Sequence, residues 1–153
     1  MTTSRKQGKV FAISTSEKKG TRKTNVPSAQ LKKNFGIVGD AHAHMGVRQV
    51  SLLASEAILQ ARQSGMNVQP GDFAENITTA GVDLAKLNLG ERLFIGAQVE
   101  LEISQIGKVC HTGCAVSKDA GKCIMPKQGI FAQVIRGGQI HVGDKIIFAA
   151  RKN

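Results

Sequence analysis

The chain contains no Trp and no Tyr, and only six Phe among its 153 residues. Binding of single-stranded nucleic acid rests on aromatic stacking platforms. Only Phe11 and Phe35 lie near the most basic stretch, so the composition argues against that mode. Acids are also scarce, with 11 Asp and Glu against 21 Lys and Arg and a formal net charge of +10. There is no P-loop and no G-x-G-x-x-G, which removes the common phosphate-cradling fingerprints. No paired carboxylates and no Ser/His/Asp arrangement support a hydrolase. No apolar run approaches the length that crosses a bilayer, so no membrane partner is expected. Cysteines number three, an odd count that excludes a fully paired disulfide framework. The polar opening Met1–Lys6 has no secretory apolar region. A reducing compartment, the bacterial cytoplasm, and free thiols are therefore expected.

What is present is concentrated. All three cysteines fall between positions 110 and 123, in Val109-Cys110-His111-Thr112-Gly113-Cys114-Ala115 and then Cys123. Cys110 has His111 beside it, Lys108 two residues before and Lys118 and Lys122 after. Nearby positive charge lowers a thiol's pKa and raises the reactive thiolate fraction. Gly107 and Gly113 bracket it, as in a loop open to a bulky partner. Cys110 therefore reads as functional, and Cys114 and Cys123 as packing residues. The C-H-x₂-C-x₈-C spacing lacks the two paired knuckles of structural zinc sites, and a zinc-stabilised protein ranks last.

Basic charge is equally local. Residues 1–33 hold nine Lys or Arg against Glu17, which places +8 in that segment and +2 in the remainder. Such a patch forms a solvated face, neutralises a phosphorylated small ligand, or attracts nucleic-acid backbone. His42 and His44 form His-x-His, whose rings would share one side if the segment were a strand and would then suit a metal or an anion, while Asp40 two residues earlier equally suits a hydrogen-bonded structural histidine. Arg48 has the planar fork that matches a phosphate. Glu75 and Asn76 would both need partners if buried.

Periodicity predicts strands at Lys9–Ser14, Val47–Leu53, Phe73–Thr79, Val99–Ile103 and Ile130–Arg136, and a short extended piece at Gly36–Asp40. One helix is expected after an N-cap at Ser55, with Ala57, Ile58 and Ala61 on its apolar face and Gly65 as its stop. Residues 87–95 (LNLGERLFI) and 140–148 (IHVGDKIIF) repeat one pattern: apolar–polar–apolar, then Gly-acid-base, then an apolar strand. Two such corners suit a small closed barrel. The expected fold is mainly β, a single barrel-like domain over residues 1–153 with one or two short helices.

Taken in order, Gly39-Asp40-Ala41-His42, Arg48-Gln49-Val50-Ser51-Leu52, Gly71-Asp72-Phe73-Ala74-Glu75-Asn76-Ile77, the approach from Ser104 to Cys110, and Ile130–Ile135 followed by Gly138 and Gly143-Asp144 resemble the MOSC domain, the molybdenum-cofactor-sulfurase C-terminal domain, in its small stand-alone bacterial form. The chain departs from the pattern at Ala74, where glycine is common, and at His44–Val47. The resemblance implies a β-barrel, association with the molybdenum cofactor (molybdopterin) and a cysteine proposed to carry or transfer sulfur. Cys110 matches that cysteine, as metal contact or persulfide carrier; Asn76 matches the asparagine of the Gly-Glu-Asn-like motif; Arg48 matches the arginine after the histidine loop. Lys19, Arg22, Lys23 and Arg48 would serve the cofactor's phosphate, with His42 beside them. A pyridoxal-phosphate-dependent cysteine desulfurase would be the sulfur donor and a molybdoenzyme the acceptor. The family also includes molybdenum-dependent reductases of N-hydroxylated compounds, the nearest alternative, with a basic nucleic-acid module behind it.

Overall fold

The structure is a computed structural model that describes residues 3–18, 22–44, 46–106 and 129–151. Its elements run β1 (Thr3–Thr15), β2 (Thr24–Val26), β3 (Ser28–Lys32), β4 (Gly36–Ile37), β5 (Val50–Ala54), α1 (Ser55–Gln63), β6 (Ile77–Ala80), a 3₁₀ turn (Leu84–Lys86), β7 (Arg92–Ile95), β8 (Val99–Ile106), β9 (Ile130–Arg136), β10 (Gly138–His141) and β11 (Lys145–Arg151).

Seven strands close a barrel in the order β11-β7-β8-β9-β5-β6-β1, shut by the pairing of β1 with β11. The mainly-β barrel read from sequence is the fold observed. Closure leaves those strands no free edge. β8 shows how the pattern builds the wall: Val99, Leu101 and Ile103 are buried, while Glu100, Glu102 and Ser104 alternate outward. Among the described residues only β5 and β6 pair in parallel. A parallel pair cannot be joined by a tight hairpin. The connection between them supplies the crossover and carries α1, whose Ala57, Ile58 and Ala61 pack with Leu53, Val68, Phe73 and Phe131 on the outer face of the barrel. A side sheet, β10-β3-β4, contributes Leu31, Ile37 and Ile140 to the barrel's own core.

The repeated segments prove to be matching corners. Gly90 and Gly143 both adopt positive φ, +87° and +95°, where glycine has no Cβ penalty. In each corner the acid's carboxylate accepts from the backbone N–H three residues earlier: Glu91 from Asn88 and Asp144 from His141, both at 2.8 Å. The strands that follow, β7 and β11, then pair with each other, Ile95 opposite Ile146 and Leu93 opposite Phe148.

Several boundaries differ from expectation. β1 is longer than Lys9–Ser14 because its first half pairs with β11, a partner from the far end of the chain. β5 begins at Val50 rather than Val47. Strands β2 and β3, separated by Pro27, were not anticipated. The helix is capped by Ala54 with no side-chain cap bond, and Ser55 is its first residue. The strand expected from Phe73 begins only at Ile77. Positive φ at Gly71 (+95°) and Ala74 (+65°) coils the preceding residues into a turn. No helix among the described residues is long and apolar enough to cross a membrane.

Candidate functional site

One end of the barrel, where β1 finishes and β2, β5 and β6 start, is held by polar side chains rather than apolar packing. Asn76 is the link. It is fully buried, its Oδ1 accepting from Ser51 N–H (3.0 Å) and Ser51 Oγ (3.2 Å) and its Nδ2 donating to Ser14 C=O (3.2 Å). The backbone N–H of Asn76 donates to Ser51 Oγ (2.9 Å), and its carbonyl accepts from Ser14 N–H (2.7 Å). Strand ladders leave such groups unpaired where strands begin and end, and a buried orphan costs about 1–3 kcal/mol. Asn76 therefore fixes β1 against β5 from beneath the surface.

Glu75 lies beside it. Its Oε2 accepts from Gly71 N–H (2.8 Å) and Thr78 Oγ1 (3.0 Å), while Oε1 meets no partner among the described residues. Burial pushes its carboxyl above the usual carboxylate range, and these hydrogen bonds only partly oppose the shift. Gly71 N–H thus holds Glu75, and Gly71 C=O accepts from Lys23 N–H (3.0 Å), joining this turn to the next cluster.

That cluster centres on a buried lysine. The Lys23 side chain is fully buried, and Nζ donates to Asp40 Oδ1 (2.7 Å), Ser16 Oγ (3.1 Å) and His42 Nδ1 (3.0 Å). Asp40 also accepts from Ser16 N–H (3.0 Å) and His42 N–H (3.0 Å). Burial alone would raise the Asp40 carboxyl. The close approach of His42, the Lys23 hydrogen bond and charge, and the Ser16 N–H outweigh it, and hold the group well below the usual carboxylate range. His42 is the outlet of the cluster, with a quarter of its side chain exposed. His44 Nδ1 donates to the His42 carbonyl (2.5 Å).

Two other cations of the expected site, Arg22 and Arg48, are at the surface. Arg48 is exposed, with its guanidinium 6.0 Å from the Phe131 ring centroid. Its neighbour Val47 accepts through its carbonyl from Ser104 Oγ on β8. Gly46 C=O accepts from Gln133 (2.8 Å) and Gln49 (3.1 Å), so the Arg48 loop is tied to β8 and β9 together. Arg22 is part-exposed with its guanidinium 3.7 Å from Asp72. β8 ends at Ile106, four residues before Cys110. Cys110, Cys114, Cys123, His111 and Lys19 lie outside the described residues.

The structure therefore unites Lys23, His42 and Asn76 in one hydrogen-bonded end of the barrel, with Arg22 beside Lys23 and Arg48 two residues before β5. Lys23 and Asn76 hold their positions from inside. Ser14, Ser16 and Ser51, which complete the network, were not read as site residues; an acid two residues before His42 was the one signal of a built cluster. A cavity of about 460 Å³ lies elsewhere, between α1 and residues 81–85, and contains none of the expected site residues. Among the described residues no group of three or more His, Cys, Asp or Glu is placed to hold a metal ion.

Similarities to known proteins agree with this architecture. No curated protein sequence matches significantly. Among solved structures, the chain is similar to YuaD from Bacillus subtilis (TM-score 0.79, 17% identity, covering 99% of this chain and 100% of that one). It is also similar to YiiM from Geobacillus stearothermophilus (0.70, 19%, covering 94% and 75%) and YiiM from Escherichia coli (0.65, 18%, covering 95% and 71%). At these identities the likeness establishes a shared fold. The family model of the MOSC domain matches residues 39–147, which span the Asp40 cluster, Arg48, the Glu75-Asn76 turn and the Gly143-Asp144 corner, and the chain belongs to the MOSC domain family.

Proposed function

We propose that the protein binds the molybdenum cofactor at the polar end of its barrel and carries sulfur on Cys110. MOSC domains are generally associated with this cofactor. The observation that carries the reading is the family match, whose span includes Arg48, Asn76 and Cys110. The donor set fits the group. A pterin with a phosphate asks for cationic and N–H donors, and the chain offers Arg48, Arg22 and His42 at its surface, the last held against the buried Lys23–Asp40 pair. Arg48 clamps the anion through its fork, held in place by the Phe131 ring. Asn76 keeps the floor of the site in register. When bound, the cofactor supplies the redox and sulfur-accepting chemistry of its metal.

Cys110 supplies a thiolate. It attacks the terminal sulfur of a donor persulfide, the donor S–S bond breaks, and the donor leaves as a thiolate. One sulfane sulfur now sits on Cys110 with no net oxidant consumed. A pyridoxal-phosphate-dependent cysteine desulfurase is the fitting donor and a molybdoenzyme the fitting acceptor, in a bacterial cytoplasm. The test is protein purified from a molybdenum-replete host, read by metal analysis, pterin release and intact mass after exposure to a persulfide donor. The expected result is molybdopterin in the wild type and a one-sulfur adduct that Cys110→Ser abolishes. Protein that contains no molybdopterin and takes up no sulfur overturns the reading. Molybdenum with turnover of N-hydroxylated substrates and no persulfide would instead assign a reductase.

A further inference from the structure

The ring of His42 is bonded to a group that can only donate. An ammonium carries three protons and no lone pair. Lys23 Nζ lies 2.7 Å from Asp40 Oδ1, a contact between fully buried side chains that keeps it charged. Its approach to His42 Nδ1 at 3.0 Å therefore makes Nδ1 the acceptor. In a neutral imidazole the other nitrogen then bears the proton, and His42 presents Nε2–H. Asp40 Oδ2 lies 3.7 Å from the same Nδ1, beyond hydrogen-bond length, and accepts the backbone N–H of His42 instead (3.0 Å), so ring and main chain are held by one ion pair.

His44 is fixed the opposite way. Its Nδ1 faces the carbonyl of His42, which can only accept, so Nδ1 bears the proton and Nε2 keeps its lone pair. The two imidazoles of His-x-His thus offer unlike atoms. A chelating pair needs a lone pair from each, and His42 has none to give outward. Nor is the buried ion pair explained by stability, since such pairs roughly break even against apolar replacements.

We propose that the Lys23–Asp40 pair is a positioning device that fixes His42 as an Nε2–H donor, and that this donor recognises a phosphate-class oxyanion. The charge around it favours an anionic acceptor. Arg22 is the chain neighbour of Lys23, the exposed Lys18 follows Ser16 closely, and the first 33 residues carry the chain's excess of positive charge. The inference rests on the cofactor reading for its natural ligand, since the pterin phosphate is such an oxyanion, but the device exists in the free protein and is tested there.

The experiment uses the uniformly ¹⁵N-labelled full chain at about pH 8, where an ordinary imidazole is neutral. Long-range ¹⁵N–¹H correlation spectra read the tautomer of each of the four histidines, with His42 assigned by the signals missing in His42→Gln. His42 should carry its proton on Nε2 and His44 on Nδ1. In the double variant Lys23→Met with Asp40→Asn, which buries no lone charge, the His42 preference should collapse to a mixture. A merely structural pair would leave the tautomer unmoved, and that result overturns the positioning role. Inorganic phosphate should then shift the His42 Nε2–H resonance. His42→Gln, whose amide can sit where Nε2 was, should keep phosphate affinity, and His42→Asn, whose amide falls short, should lose about ten-fold. Equal binding by both variants and wild type overturns the oxyanion assignment. A Zn²⁺ titration that coordinates His42 through Nε2 overturns it as well. Phosphate captured at His42 in a protein that purifies without molybdopterin would sink the cofactor reading and sustain this one.

Discussion

Asp40 and Glu75 are both buried carboxyl groups at the same end of the barrel, linked through Gly71 and Lys23, yet their proton affinities move in opposite directions. Burial penalises the charged form of both, and Glu75 is the more deeply buried. Asp40 has an ammonium at 2.7 Å and two backbone N–H donors. Glu75 has one N–H, one hydroxyl and an oxygen with no partner among the described residues. Neutral donors soften burial; a cation in contact reverses it. The two acids therefore contrast within one molecule, one held charged by a cation and one inclined to keep its proton.

The largest effect should come from breaking the charged half. Asp40→Ala leaves the Lys23 ammonium buried without its counter-charge, which costs about 3–5 kcal/mol. Urea unfolding of this variant should show that loss, and pairing it with Lys23→Met should recover most of it. A double variant as unstable as Asp40→Ala would mean that the space, not the charge, is what Lys23 fills. Next comes the link between the two halves. Asn76→Ala strands the Ser51 N–H and the Ser14 carbonyl, at roughly 1–3 kcal/mol. Because these bonds join β1 to β5 through a residue 62 positions from Ser14 and 25 from Ser51, hydrogen exchange should rise at both strand ends together. Faster exchange at only one would show that the ladders hold without it.

This is also where reading the sequence stopped short. Apolar alternation in Val99–Ile103, the helix face at Ala57, Ile58 and Ala61, and the two Gly-acid corners are local patterns, and each appears in the structure where it was read. The Lys23–Asp40 contact spans 17 residues between two loops, and no periodicity marks it. Lys23 looked like any other cation of a basic segment, whereas its side chain is wholly buried. The turn at Gly71–Asn76 was mistaken for strand because Phe73 and Ile77 are apolar and buried, although positive φ at Ala74 interrupts the extended backbone. Side chains that satisfy backbone groups at strand ends act over long separations, and composition does not announce them.

The Glu75 half can be sharpened by pH. Its folded pKa is raised, so its contribution is fully present below the unfolded carboxylate range and is lost as pH rises through the folded value, the native state holding the extra proton. Asp40 runs the other way. Its folded pKa is depressed, so its contribution is present above the unfolded range and is lost as pH falls below about 4 toward the folded value. Glu75→Gln cannot ionise and should flatten the decline in unfolding free energy above the unfolded carboxylate value of about 4.3, while leaving the acid limb intact. An unchanged slope would show that Glu75 is ionised across that range.

The smallest effect on the fold should come from the exposed cation, Arg48, which extends the comparison from acids to bases. Lys23 is enclosed and its loss of partner is costly. Arg48 is solvated on one side and rests on the Phe131 ring at 6.0 Å, a contact worth about 0.5–1 kcal/mol at such a site. Arg48→Ala should therefore unfold within about 1 kcal/mol of the wild type. Its effect belongs to binding instead, since losing a charge-assisted contact weakens affinity for a phosphate-bearing ligand by about ten-fold or more. Arg48→Lys keeps the charge but not the fork, and should recover only part of that affinity. Unfolding curves and molybdopterin retention measured on the same preparations separate the two roles. If Arg48→Ala proves as unstable as Asp40→Ala while retaining the pterin, Arg48 is a structural cation like Lys23, and the anion clamp must be sought among the other basic residues of this end of the barrel.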